Sequence, residues 1–329
     1  MEIIKKLLII GIAGVFSCEN KFEPPQSENS PEIIKRKDIE LTGAEQQLTV
    51  QTNSFAFNLV KTVYANEEAH KNILISPFSA SLAFSMLNNG SDGVTQTEIR
   101  QALGFGDATT ESINQYLQKI ADAAQTLDPY GVYKSANSIW IHHEFPVVNS
   151  FKQVIQQYYD AEIHSADFRK HAALTVINKW ASEKTNGKIP KILDKLDENN
   201  RLLLMSAPFF KGLWRHPFYR SYTANEKFHA STGEVQFVPT MKSVFNRYVK
   251  TENCSAVELP FQNGAFSFVI VLPGEDTDIS AIVEQMDSEW WKNVTDFDKV
   301  SLEMFLENNS SYVISDALNL NISFLIIDI

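Results

Sequence analysis

The feature that most constrains this chain is the order in which its hydrophobic period changes. In the first half the apolar residues recur at helical spacing. Phe55, Leu59 and Val63 stand four apart with Ala56 and Val60 beside them. Phe151, Val154, Ile155, Tyr158 and Tyr159 mark a second such face, and a third runs from about Leu174 to Lys184 before Asn186-Gly187. In the second half the period falls to two. "SAVELPFQNGAFSFVIVLP" is two alternating strands around Asn263-Gly264, a strong hairpin signal. "RLLLMSAPFF" is nearly continuous in apolar residues, which predicts a strand buried on both faces. Helices first and strands later, with little strand–helix–strand alternation, give the α+β class. The 329 residues suit one large domain, and a hydrophobic fraction of 44% allows it a sizeable core.

Local punctuation refines this. Ser76 caps a helix whose first position is Pro77, so the strand-like "NILI" is expected to run into a helix there. Thr95 and Glu98 have capping-box spacing, and Gly104 closes the same helix, which makes "GFGDAT" a helix stop rather than a phosphate loop. At the N-terminus, Lys5 and Lys6 precede an apolar run from Leu7 to Phe16, which ends at Ser17-Cys18. This predicts a signal peptide over residues 1–17. The cysteine at the cut resembles the lipobox of bacterial lipoproteins; an ordinary signal peptide beside an incidental cysteine is the alternative. Residues 18–44, rich in Pro, Ser, Asn, Glu and Lys, predict a flexible tether, and 45–329 the folded domain. The expected location is the cell envelope or the extracellular space. With Cys18 lipidated, Cys254 is then the single free cysteine of the mature chain, a small packed side chain in a strand.

The net charge of −11 argues against nucleic-acid partners and against electrostatic adsorption to anionic membranes. Contact with a membrane is expected only through a lipid on Cys18. No nucleophile elbow, zinc-protease pair or glycine-rich phosphate loop is present, so the sequence predicts neither an enzyme nor a cofactor. His142, His143 and Glu144 are adjacent on a predicted strand. Neighbouring side chains there point to opposite faces, so no metal role is expected of the two histidines.

Longer segments add a resemblance. "NILISPFSASLAFSMLNNGSDGVTQTEIRQALGF", "SANSIWIHHEFPVVNSFKQVIQQYYDAEIHSADF", "INKWASEKTNGKIPKIL", "LLLMSAPFFKGLWRHPF", "FVPTMKS", "VELPFQNGAFSFVIVLPG" and "KVSLEMF" resemble, in order, the motifs of the serpin family from about Glu45 to about Ile322. The resemblance implies a helical N-terminal part around a large central sheet, with smaller sheets beside it. It also implies inhibition of serine or cysteine proteases without a cofactor. A reactive-centre loop is cleaved and inserts as an extra strand into the central sheet. By the same resemblance Ser76 and Ser79 lie beneath the point where that sheet opens. Ser206 stands on the central strand in place of the family's Asn, whose amide bridges to those serines. Trp214 lies at the top of the sheet where the loop enters, and Gly187 and Lys188 are structural.

The end of the sequence departs from the pattern. Glu303 replaces a proline. "SYVISDALNLNI" resembles the helix before the final strands, with Asn321 for Gly, and "SFLIIDI" no longer matches. The expectation is a serpin domain truncated before the reactive loop, with no reactive bond and no inhibitory action of its own. The alternative is a non-inhibitory surface lipoprotein whose serpin-like body serves binding or no role.

Overall fold

The structure is a computed structural model and describes residues 34–67, 73–229, 235–245, 247–274, 276–297, 302–307 and 317–320. Cys18 and the expected signal peptide lie outside the described residues.

Four helices come first: α1 (Gly43–Asn66), α2 (Pro77–Asn89), α3 (Gly93–Ala102) and α4 (Thr110–Ala124). Strand β1 (Val132–His142), α5 (Asn149–Tyr159), β2 (Glu162–Ala166) and α6 (His171–Lys184) follow. The remainder is mostly strand: β3 (Leu202–Leu213), β4 (Ala224–His229), β5 (Val235–Phe245), β6 (Tyr248–Lys250), β7 (Cys254–Pro260) and β8 (Ser267–Pro273). Short helices α7 (Ile279–Gln285) and α8 (Ser288–Thr295) precede β9 (Leu302–Glu307) and β10 (Ala317–Leu320). The class is α+β, in the order the hydrophobic period demands.

Several starts and stops follow local chemistry. Thr42 caps α1 in a full capping box: its hydroxyl accepts from the Glu45 amide, and the Glu45 carboxylate accepts from the Thr42 amide at 2.7 Å. Ser76 caps α2 with Pro77 at the first turn. α6 ends where Asn186 and Gly187 turn to positive φ, 51° and 78°. Three expectations need correction. The cap of α3 is Asp92, immediately before its first residue, so Thr95 lies inside the helix and Glu98 closes no box. Residues 73–75 form no strand before α2. In "SYVISDALNLNI", residues 317–320 are a strand rather than a helix: they pair with β3 and so meet their backbone hydrogen bonds across a ladder.

The central sheet has the order β10-β3-β1-β2. β1 pairs antiparallel with β3 and parallel with β2. Both of its faces are covered. Ile139 and Ile141 of β1 join Leu82, Met86, Ile113, Leu117 and Ile155 of α2, α4 and α5 in the largest core. Trp140 of β1 and Met205 and Ala207 of β3 face the other way, onto Ile177 and Trp180 of α6. This two-sided burial explains why "RLLLMSAPFF" does not alternate. Its burial is uneven, however: Met205, Ala207, Phe209 and Phe210 are buried, while Leu202, Leu203, Leu204 and Ser206 are half-buried. Two three-stranded sheets, β4-β5-β9 and β6-β7-β8, complete the strands. The β7–β8 hairpin turns through Phe261–Phe266, with Gly264 at φ 79° and Asn263 accepting from the Ala265 amide. Cys254 is buried in β7 among Phe57, Val60 and Val271. Ahead of α1, the Ile34 amide donates to the Tyr130 hydroxyl, and Ile39 and Leu41 pack on the main core. No helix among the described residues is long and apolar enough to cross a membrane.

Candidate functional site

Strand β3 holds the site because its two edges are not alike. Toward β1 it is paired from Leu202 to Lys211. On the opposite edge β10 covers only Phe210–Leu213. Leu202–Phe209 have no strand partner on that side among the described residues. An unpaired run of backbone N–H and C=O groups is a template for an added strand. Pro208 lies within this run and has no N–H to give to either neighbour.

Several buried polar atoms without partners lie on β3, on β1 and on α2, which packs on β3. Residues two apart on a strand share a face. Ser206 therefore points with Leu204 toward the α2 layer, and α2 packs on β3. Its hydroxyl is buried and has no hydrogen-bond partner. Directly across the ladder stands Asn137 of β1. The Asn137 amide donates to the Tyr159 carbonyl at 2.8 Å, while its Oδ1 has no partner. On α2 the Ser81 and Ser85 hydroxyls and both polar atoms of the Asn88 side chain are likewise buried without partners. Each such group costs roughly 1–3 kcal/mol, so a concentration of them calls for an explanation.

The residues named from the sequence lie on several elements. Ser76 and Ser79 are together: the Ser76 hydroxyl accepts from the Ser79 amide and donates to the Ser79 hydroxyl at 2.8 Å. No hydrogen bond joins either to Ser206. A serine at 206 is shorter than the amide-bearing residue of the family pattern, and its hydroxyl stays unpartnered. Trp214 follows the C-terminal end of β3, about 26 Å along the strand from Ser206 at about 3.3 Å per residue. It is 3% exposed and stacks on Phe261 with ring centroids 4.6 Å apart. The Trp214 carbonyl accepts from Gln262 Nε2, but the indole N–H is buried without a partner. Gly212 is required there, because a Cβ at that position would lie 2.5 Å from Phe261 and 2.8 Å from Phe210. Gly187 and Lys188 form the tight stop of α6, the Lys188 amide donating to the Thr185 carbonyl at 3.0 Å.

Two groups escaped the sequence reading. One is the polar network under α2, where Asn89 and Asn114 exchange hydrogen bonds and the Tyr159 hydroxyl donates to Asn114 at 2.6 Å. Burial pushes the Tyr159 hydroxyl pKa well up, so it remains a donor. The residues are spread over three helices, and no local spacing joins them. The other is Pro208, whose signal was legible: a proline inside an apolar run marks a strand with a free edge. The two histidines are also not placed as the strand alternation predicts. β1 ends at His142, and His143 begins a turn, so the alternation of a strand does not apply. The two rings lie 4.7 Å apart.

The comparisons with known proteins agree with this fold. The family model Serpin (serine protease inhibitor) matches residues 50–308. The chain belongs to the serpin family. It is 32% identical over 249 residues to a serine protease inhibitor of Cyanea capillata, covering 72% of this chain and 66% of that protein. It is 31% identical over 252 residues to the leukocyte elastase inhibitor of Equus caballus, covering 74% and 65%. Among solved structures, the thermophilic serpin tengpin in its native state superposes with a TM-score of 0.73 at 28% identity, over 83% of this chain and 70% of that one. Tengpin in the latent state gives 0.72 at 29% identity, over 82% and 72%. The chain spans just under two thirds of the length of the curated relatives it matches first.

Proposed function

We propose that residues 1–329 form the strand-accepting body of a serpin-type inhibitor of serine or cysteine proteases, acting as an inhibitor and not as an enzyme. The observation that carries this reading is the outer edge of β3, unpaired over Leu202–Phe209 among the described residues, with the buried Ser206 hydroxyl beside it. An extended segment laid along that edge meets main-chain donors and acceptors. Residues 1–329 by themselves are proposed to form no SDS-stable complex with a protease. A covalent band of summed mass on a denaturing gel overturns that part. The edge itself is tested with a synthetic peptide copying the reactive-loop hinge of an inhibitory relative. At a concentration of about 100 Kd, binding adds about 2.7 kcal/mol. At roughly 2–4 °C per kcal/mol, Tm rises by roughly 5–10 °C. An unchanged Tm and no bound peptide on size-exclusion chromatography overturn the reading.

A second reading, a body that binds without inhibiting, is favoured by β10, which already occupies the C-terminal four positions of the same edge. The same peptide separates the two: displacement of β10 is required for full-length insertion.

The chain is also proposed to be exported and held at the cell envelope by acylation of Cys18, on the strength of the lysines, apolar run and Ser17-Cys18 at its start. Intact-mass analysis of the membrane fraction is expected to give a lipidated species beginning at Cys18; a soluble species beginning elsewhere contradicts it.

A further inference from the structure

At the end of the central sheet where β1 stops, the chain brings together three side chains that the serpin reading does not use. β1 delivers His142, the turn after it delivers His143, and the segment leaving β2 delivers Asp167. One ligand atom from each lies within 4.8 Å of the others. His142 is 4% exposed, and its Nε2 is buried without a hydrogen-bond partner, 3.8 Å from Asp167 Oδ1. Phe168 flanks the site, its ring meeting His142 edge-on. His143 and Glu144 form the outer wall, with His143 Nε2 3.4 Å from Glu144 Oε1.

We propose that His142, His143 and Asp167 form a binding site for a borderline divalent transition metal of the zinc type, with His142 Nε2 as its buried ligand. Two imidazoles and a carboxylate are a donor set that such ions take, leaving a fourth position for water. Alkaline-earth ions prefer all-oxygen cages and are excluded by the two nitrogens. Tetrahedral ligands at about 2.0–2.1 Å sit roughly 3.4 Å from one another, so the three groups must close by about an ångström or more. His143 can supply that movement, because it lies on a turn with its side chain 40% exposed.

Two features oppose loading, and both give the proposal a signature. First, His142 Nδ1 accepts from the Glu144 amide at 3.3 Å, which places the ring proton on Nε2. A metal at Nε2 moves that proton to Nδ1, and the Glu144 amide must turn away. Second, Arg169 competes for the carboxylate. Its Nε donates to Asp167 Oδ1 at 2.8 Å, and its Nη2 to Asp167 Oδ2 at 3.2 Å and to Glu144 Oε1 at 3.3 Å; Lys170 Nζ lies 3.7 Å from Asp167 Oδ2. Removing Arg169 therefore frees one ligand and offers Glu144 as another. The bound ion would tie the end of β1 to the segment after β2.

The test is zinc titration of the full chain by calorimetry, with calcium as control and the Glu144 amide followed by NMR. Zinc is expected to bind one to one, shift the Glu144 amide and raise Tm, while calcium gives no heat. His143→Ala, at an exposed turn position, is expected to weaken zinc about tenfold or more, and Arg169→Gln to tighten it by a similar factor. Circular dichroism checks that both variants keep the fold. No zinc binding, zinc binding that neither variant alters, or calcium binding in place of zinc overturns the proposal.

Discussion

The two edges of β3 belong to one strand but to different kinds of surface. The edge facing β1 is zipped over ten register positions and sealed by cores on both faces. The other edge holds β10 over four positions and has no further strand partner among the described residues, and beside it lie half-buried leucines and the unpartnered Ser206 hydroxyl. The difference teaches where this fold keeps its stability and where it withholds it. A closed edge is an ordinary core. An edge whose backbone N–H and C=O groups have no strand partner among the described residues is one that a further strand can pair with.

Substitutions can break this contrast, and the largest effect is expected on the closed side. Ile139 is fully buried in β1 opposite Leu204. Ile139→Ala should cost about 2–5 kcal/mol in denaturant unfolding. Leu202→Ala, at the half-buried start of β3, should cost well under half of that, since fewer neighbours are lost. Equal losses would mean that the two edges are equally packed. Next in size is Gly212→Ala. The added methyl collides with Phe210 and Phe261, where β3 meets the β7–β8 turn, and about 1–3 kcal/mol is expected from urea melts.

A finer contrast lies across the ladder. Asn137 and Ser206 are register partners, but only Asn137 has a bond to lose. Asn137→Ala should cost about 1–2 kcal/mol by leaving the Tyr159 carbonyl without its donor. Ser206→Ala should be neutral or stabilising by up to about 1 kcal/mol, because it removes an unsatisfied hydroxyl. A clear loss at Ser206 would show that its hydroxyl is partnered in solution and would remove the polar argument for the edge.

The legibility of the molecule follows the range of its interactions. Ser76-Pro77, Asn186-Gly187 and the Asn263-Gly264 hairpin act within a few residues, and the structure places a cap, a stop and a turn at them. α3 shows the limit even of local reading, because Asp92 outcompeted Thr95 as the cap. The motif order carried the family, and through it Ser76, Ser79, Ser206 and Trp214 were named. What the sequence could not show was that Ser206 would face Asn137 with neither satisfying the other. Register and orphaned atoms arise from contacts about seventy residues apart. The pairing of residues 317–320 was hidden for the same reason, since four residues of strand carry little pattern of their own.

The smallest expected effect belongs to the closed, helical side and serves as a control for the edge. Glu45 closes the capping box of α1 and pairs with Lys119, and this ion pair and the Thr42 amide hold its carboxyl below the usual range. Its folded pKa is depressed, so its contribution is complete above the unfolded value of about 4.3 and is lost as pH falls through the lower folded value. Glu45→Gln should cost about 0.5 kcal/mol at pH 7 and flatten that acid limb of the stability profile. The peptide-induced rise in Tm should be the same in this variant as in the parent chain; a smaller rise would mean that α1 and the edge are coupled.

The most direct measurement of the difference between the edges is amide hydrogen exchange along β3, with and without the hinge peptide. Successive amides of Leu202–Ala207 alternate between β1 and the open side. The β1-facing set is expected to exchange slowly and the outward set fast, with peptide converting the fast set to slow. Uniform protection of Leu202–Ala207 in the free chain, unchanged by peptide, would contradict an open edge and the function built on it.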